Sequence, residues 1–117
     1  MLEPQILSSS IVQNFIPARK SASRKGDNGI VLVIGGSYIY HGAPILSSLA
    51  ALRCGTDLVY TSVPKINVSA TRSTSPNLIV IPLVDQKLTL GAVKKLVGAL
   101  PRKLHSATIG MGLAIQE

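Results

Sequence analysis

Residues 28–37 read Asn-Gly-Ile-Val-Leu-Val-Ile-Gly-Gly-Ser, and this stretch decides the fold. Its centre, Ile30 to Ile34, is an unbroken run of β-branched residues and leucine between Asn28-Gly29 and Gly35-Gly36. A short apolar run without polar alternation, bounded by turn residues, is typical of a strand that is buried on both faces. Strands of that kind belong to parallel sheets, so the stretch predicts a parallel sheet.

The chain on either side of this strand divides into two parts. Residues 1–29 are an N-terminal segment that ends in a polar, basic loop, whereas residues 30–117 alternate apolar runs with helical spacing. We predict helices over 44–53 and 89–100 and further strands over 57–63, 78–83 and 107–109, and we leave open whether residues 64–73 are helical. This alternation indicates right-handed βαβ crossovers and a parallel sheet covered on both faces, so the fold class is α/β.

Composition excludes several classes of protein. Among 117 residues, 46% are hydrophobic and 15% charged, which is too apolar for intrinsic disorder. Aromatic residues make up 3%, which leaves little for binding nucleic acid by base stacking, and the net charge of +7 favours anionic partners without choosing among them.

The single cysteine, Cys54, excludes an intramolecular disulfide and favours a reducing, cytoplasmic setting. We expect it to be a buried small hydrophobe on the first predicted helix. No apolar run reaches the length of about 18 residues that spans a bilayer, so we expect a soluble protein with no membrane partner.

Two glycine loops follow predicted strands, and such loops bind ligands in parallel sheets. The first is Gly35-Gly36-Ser37, continued by Tyr40 to Pro44, and the second is Gly110-Met111-Gly112. Neither has the Walker A or the Gly-x-Gly-x-x-Gly spacing, which argues against a P-loop and an ordinary dinucleotide fingerprint. We therefore expect both loops at one edge of the sheet, where free main-chain N–H groups receive an anionic ligand. His41 and His105 are not assigned to catalysis.

Several motifs, separated along the chain and in order, resemble those of one family. They are Arg-Lys-Gly-Asp-Asn-Gly-Ile-Val-Leu-Val-Ile-Gly-Gly-Ser at 24–37, Tyr-His-Gly-Ala-Pro at 40–44, Ala-Ala-Leu-Arg-Cys-Gly at 50–55, Ser-Pro at 75–76 and Ile-Gly-Met-Gly-Leu at 109–113. In these motifs the chain resembles the ADP/ATP-dependent NAD(P)H-hydrate dehydratases, which have a ribokinase-like fold. The resemblance covers nearly all of the chain from about Ile16. It implies that residues 30–117 are the amino-terminal half of a ribokinase-like α/β domain, and thus a partial domain.

The resemblance implies a lyase of metabolite repair. Its substrate is NADH hydrate or NADPH hydrate, which is dehydrated to NADH or NADPH at the expense of ADP or ATP, with Mg²⁺. It also implies that Ala43 and Gly112 contact the substrate, and that this side of the pocket is shaped by Gly35, Gly36, Ser37, Gly42 and Gly110. The family's Gly-Thr-Gly-Asp motif, which carries the catalytic Asp, has no match here, so no catalytic residue and no metal ligand is assigned to this chain.

Alone, the chain is therefore expected to be inactive, and its expected partner is a complementary carboxyl-terminal half or further copies of itself. Two other functions stay open. One is a small-molecule kinase of the ribokinase-like superfamily, acting on a sugar or a vitamin precursor. The other is a non-catalytic basic binding module for nucleic acid, which the scarcity of aromatic residues disfavours.

Overall fold

The computed structural model describes residues 3–114. Along the chain these form α1 (Ser9–Phe15), β1 (Ile30–Ile34), α2 (Gly42–Arg53), β2 (Leu58–Pro64), a 3₁₀ turn (Lys65–Asn67), α3 (Val68–Thr74), β3 (Leu78–Leu83), α4 (Leu90–Ala99) and β4 (Ser106–Ile109). None of the helices in this part of the chain is long and apolar enough to cross a membrane.

The four strands form one sheet in the order β3-β2-β1-β4, and every neighbouring pair is parallel. This confirms the α/β class. In the register, Ile34 at the end of β1 lies opposite Ser62 of β2 on one side and Ile109 of β4 on the other. The loops that follow β1 and β4 therefore leave the sheet at the same edge.

Apolar clusters cover both faces of the central strands. Alternate residues of β1 belong to different clusters, which explains why its sequence is apolar without alternation. On one face lie Leu32, Ile34, Leu83, Ala92 and Leu96, with α4 as the covering helix. On the other lie Val33, Val59, Val63, Leu78 and Val80, packed against residues of α2 and α3.

Strand β4 is the exception to the predicted covering on both faces. All four of its residues are exposed, and it forms an edge of the sheet. Ile109 is 57% exposed although it pairs with the buried Ile34. The prediction of a fully covered sheet thus holds for the inner strands and is wrong for β4, because no helix of the described chain packs over that edge.

A buried polar pair joins α2 to β2. Ser48 and Thr61 have no solvent exposure. The Ser48 hydroxyl donates to the main-chain oxygen of Pro44 at 2.7 Å, and its oxygen lies 2.7 Å from Oγ1 of Thr61. Since the Ser48 proton is used on Pro44, the Thr61 hydroxyl is the donor within the pair.

The carboxylate of Asp57, just before β2, holds the N-terminal basic loop in place. It accepts hydrogen bonds from the main-chain N–H of Gly26 and of Asn28, each at 2.9 Å, and from the Asn28 side chain. It also forms an ion pair with Arg19 at 2.8 Å. These contacts, led by the main-chain bond from Asn28, hold the pKa of Asp57 below its ordinary value of 3.8.

The helical segments differ from the prediction at two places. Cys54 is exposed rather than buried, because it follows the last turn of α2 and lies off the face that packs on the sheet. The small and apolar residues around Cys54 do not reveal which face of α2 packs on the sheet, because apolar residues also lie on its exposed side. Leu46 of the same helix, for example, is 70% exposed. The N-terminal segment also contains α1, which we did not predict, with Ser8 as its N-cap.

Candidate functional site

The two glycine loops meet at the carboxyl edge of the sheet, as predicted. The main-chain N–H of Gly36 donates to the oxygen of Met111 at 2.8 Å, and that of Gly110 donates to the oxygen of Ile34 at 3.1 Å. Loops that are about 75 residues apart in sequence therefore form one surface, because β1 and β4 are parallel neighbours.

Two glycines in this surface have no room for a side chain. A Cβ on Gly35 would lie 2.7 Å from the sulfur of Met111 and closer still to the Met111 carbonyl oxygen. A Cβ on Gly112 would lie 3.2 Å from Cβ of Tyr40, and Gly112 also has a φ of +69°, which favours glycine. The absence of side chains at these positions is thus what lets the two loops approach each other.

Ser37 closes the first loop. Its N–H donates to the oxygen of Tyr40 at 2.8 Å, and its hydroxyl oxygen accepts from the N–H of Tyr40 at 3.2 Å. Its own carbonyl accepts from the side-chain amide of Asn67 at 2.8 Å. Ser37 is 6% exposed, so its polar groups fix the shape of the loop.

An open cleft of about 600 Å³ lies in front of these loops. Of the predicted site residues, Gly42, Ala43 and Gly112 line it, while Gly35, Gly36 and Ser37 lie buried behind it and Gly110 is exposed at the end of β4. Its other lining residues are Ile39, Tyr40 and His41.

Sequence reasoning did not assign Ile39, Tyr40 or Asn67 to the site. Ile39 is 73% exposed and Tyr40 is 63% exposed, and both line the cleft. The signal that could have identified this pair is their position in a loop that directly follows a buried strand. No sequence signal identified Asn67, because it lies 30 residues from Ser37.

The start of α2 provides the polar character of the cleft. Gly42 and Ala43 are its first two residues, and the first N–H groups of a helix have no partner within the helix. The N-cap residue, His41, makes no side-chain bond to them, which leaves these donors for a ligand. They favour a negative charge through the helix dipole.

The cleft is lined by small and apolar residues together with His41 and Tyr40. Among the described residues that line it there is no carboxylate, lysine or arginine, and most of the wall is glycine, alanine and apolar side chain. Within residues 3–114, no three His, Cys, Asp or Glu side chains lie close enough together to hold a metal ion. The Mg²⁺ that the resemblance implies therefore has no ligand set in this part of the chain.

Comparisons with known proteins agree on one family. The family model described as NAD(P)H-hydrate dehydratase matches residues 31–117. The chain is 83% identical over 111 residues to the ADP-dependent (S)-NAD(P)H-hydrate dehydratase of Nitrosopumilus maritimus, covering 95% of this chain and 39% of that protein. It is 66% identical to the protein of the same description from Cenarchaeum symbiosum, covering 97% and 39%.

Among solved structures, a ribokinase-like superfamily protein from Enterococcus faecalis superposes with a TM-score of 0.78 at 26% identity, covering 94% of this chain and 36% of that one. This supports the predicted ribokinase-like fold. The chain spans about two-fifths of the length of the curated relatives described above.

Proposed function

Because the chain belongs to the NAD(P)H-hydrate dehydratase family, we propose that it provides the substrate side of an enzyme that repairs NADH hydrate and NADPH hydrate. The proposal rests on one observation. The loops 35–43 and 110–112 converge on a cleft at the carboxyl edge of the sheet, within the region that matches the family.

The proposed reaction removes water from the reduced nicotinamide ring and uses one ADP or ATP for each molecule repaired. The nucleotide supplies a phosphoryl group that makes the ring hydroxyl a better leaving group, and elimination of phosphate restores NADH or NADPH. The nucleotide description comes from the relatives, one of which is ADP-dependent and another, from Danio rerio, ATP-dependent.

This chain's own residues bind and orient the substrate. Gly112 and Ala43 both line the cleft and present small surfaces, so a bulky dinucleotide can approach the main chain without a clash. The free N–H groups at the start of α2 face its negative charge. Ile39 and Tyr40 line the same cleft and give it apolar surface, on which the uncharged parts of the substrate can lie.

Conversion of the hydrate is proposed to need residues that this chain does not contain. The 117 residues contain no Gly-Thr-Gly-Asp sequence. We expect the chain alone to bind the hydrate without converting it, and to support conversion together with a polypeptide that carries that motif. A cytoplasmic location, with its reducing conditions and supply of NADPH, is part of the same proposal.

The test compares two leucine substitutions on the same helix. Ala43→Leu fills the cleft, whereas Ala50→Leu places the same side chain at an exposed position of α2 away from it. Binding of NADPH and of NADPH hydrate is followed by calorimetry, and folding by circular dichroism. We expect Ala43→Leu to weaken binding at least about tenfold, which corresponds to about 1.4 kcal/mol, and Ala50→Leu to leave it unchanged.

Equal binding by the two folded variants would contradict the placement of the substrate in this cleft. If a well-folded pair of this chain and its complement repaired no NADPH hydrate with either ADP or ATP, the proposed activity itself would be wrong.

A second candidate is a small-molecule kinase, and the ribokinase-like neighbour favours it at the level of the fold. A kinase of this kind would bind a small alcohol in the same cleft. Phosphorylation of sugars or vitamin precursors by the complemented chain, without any conversion of NADPH hydrate, would select this candidate.

A further inference from the structure

A second, larger cavity lies at the opposite edge of the sheet. It has a volume of about 930 Å³ and is lined by residues that come shortly before three of the strands, Gly29, Gly55 and His105. Because the strands are parallel, these residues mark the amino edge. The five residues of β1, at about 3.3 Å each, place this cavity about 16 Å from the glycine loops.

A histidine of fixed orientation forms part of the wall. The N–H of Ile30 donates to Nδ1 of His105 at 3.0 Å, and the N–H of His105 donates to the oxygen of Ile30 at 2.9 Å. Since Nδ1 accepts a hydrogen bond, the proton of the neutral ring is on Nε2. His105 therefore offers an N–H donor.

The charged groups around the cavity are mainly cationic. Arg19 is held by Asp57 at 2.8 Å and by the oxygen of Gly55 at 2.6 Å, so its charge is already paired. Lys20 and Lys103 also line the cavity, and within residues 3–114 the Arg19–Asp57 contact is the only ion pair. The cavity is thus lined by two lysines that form no ion pair with a described carboxylate.

One carboxylate and several apolar residues among the lining residues define the ligand further. Asp27 is the one carboxylate among the described lining residues, and it accepts from the N–H of Arg24 at 2.7 Å. Ile16, Pro17, Ala18 and Ala22 line the same cavity and give it apolar surface. A matching ligand has a doubly charged anionic end and an uncharged body, within the size range of small-molecule sites.

We propose that this cavity binds a phosphomonoester of about the size of a nucleoside monophosphate. Its phosphate accepts charge-assisted hydrogen bonds from Lys20 and Lys103, and its uncharged body lies on the apolar surface of Ile16, Pro17, Ala18 and Ala22. The site is separate from the glycine-loop cleft and does not depend on the repair reaction proposed above.

Cys54 provides a direct readout, because it is the only cysteine, is exposed and lines this cavity. The rate of alkylation of its thiol by a neutral maleimide is measured on the full chain, in a chloride buffer without phosphate. The added probes are AMP, inorganic phosphate and adenosine. We expect AMP to slow alkylation at least fivefold at saturation, phosphate to need a higher concentration, and adenosine to have no effect at the same concentrations.

Variants then locate the effect. Lys20→Gln and Lys103→Gln should each raise the AMP concentration for half-protection about tenfold, the effect of losing one charge-assisted hydrogen bond. Lys94→Gln and Lys95→Gln change exposed lysines on α4, which do not line the cavity, and should leave it unchanged. All four positions are exposed, so the variants are expected to fold.

Three results would overturn the proposal. They are the absence of protection by AMP at millimolar concentration, equal protection by adenosine, and protection by AMP that is lost equally with the α4 variants. Binding of NADH hydrate, which carries no phosphomonoester, at the glycine loops would leave these results unchanged, because the two sites lie at opposite edges of the sheet.

Discussion

Replacing Gly35 with alanine tests the contact between the two glycine loops. The new methyl group would lie 2.7 Å from the sulfur of Met111, where ordinary contacts between such atoms are about 3.5 to 4.0 Å. The Met111 carbonyl is closer still, so the second loop must retreat by about 1 Å. That movement would break the 2.8 Å hydrogen bond from Gly36 to the oxygen of Met111. The cost is steric, because Gly35 does not have a positive φ.

The loss of stability follows from two contributions. Overpacking of a buried position costs about 1 to 3 kcal/mol. The broken hydrogen bond adds about 0.5 to 1.5 kcal/mol. Together they predict a loss of about 2 to 4 kcal/mol for Gly35→Ala. For a chain of this size such a loss lowers Tm by about 10 °C or more.

Urea unfolding followed by circular dichroism measures this loss, with Gly98→Ala as the matched control. Gly98 lies in α4, and no atom would lie within 4 Å of a Cβ there. Alanine should therefore stabilise that helix by about 0.5 to 1 kcal/mol. In Gly35→Ala, a second change of Met111→Ala should restore part of the loss, because it removes the sulfur but leaves the carbonyl.

Unchanged stability of Gly35→Ala, with the expected gain in Gly98→Ala, would show that the two loops do not touch as described. Full restoration by Met111→Ala would show that only the side chain, and not the main chain, fills the space beside Gly35.

Two further predictions concern the polar contacts that hold the fold. Ser48→Ala leaves the buried Thr61 hydroxyl without a partner and should lower the free energy of unfolding by about 1 to 3 kcal/mol. Thr61→Val leaves the hydrogen bond from Ser48 to Pro44 intact and should lower it by less than about 1 kcal/mol. Urea unfolding measures both losses, and a larger loss in Thr61→Val would contradict the assignment of Thr61 as the donor. The pKa of Asp57 is lowered in the folded chain, so its stabilising effect is complete above its ordinary value of 3.8 and is lost as the pH falls through the folded pKa. Asp57→Asn should therefore lower stability at pH 7 and show less loss than the wild type on acidification toward pH 2, as measured by Tm across that range; parallel curves would contradict this role.

The inner strands could be predicted from sequence because their environment is uniform. Residues 78–83 were predicted with the observed bounds of β3, and the predicted strand over 30–34 is β1, since burial on both faces leaves a continuous apolar run. The helix α1 was missed because none of its residues is buried, so it has no apolar face that a sequence pattern could reveal. Cys54 was misplaced for a related reason, since α2 is apolar on its exposed side as well.

The candidate site was predictable to the extent that it depends on the main chain. Glycines after parallel strands indicate where loops gather, and the convergence of Gly36 with Met111 follows from strand order. The tether from Asn67 to Ser37 and the apolar surface of Ile39 and Tyr40 depend on side chains whose positions are fixed only by the folded chain.

The two proposed sites offer different groups to a negatively charged ligand, and this difference has a physical origin. At the carboxyl edge, the cleft contains no lysine or arginine among its described lining residues, and the groups it offers to the proposed dinucleotide are the main-chain N–H groups at the start of α2. Helix starts gather at that edge because each crossover helix begins where a strand ends. The described residues that line the amino-edge cavity instead include the charged side chains of Arg19, Lys20 and Lys103. Three of the twelve lysine and arginine residues thus line that cavity, whereas none of them is among the described residues that line the glycine-loop cleft.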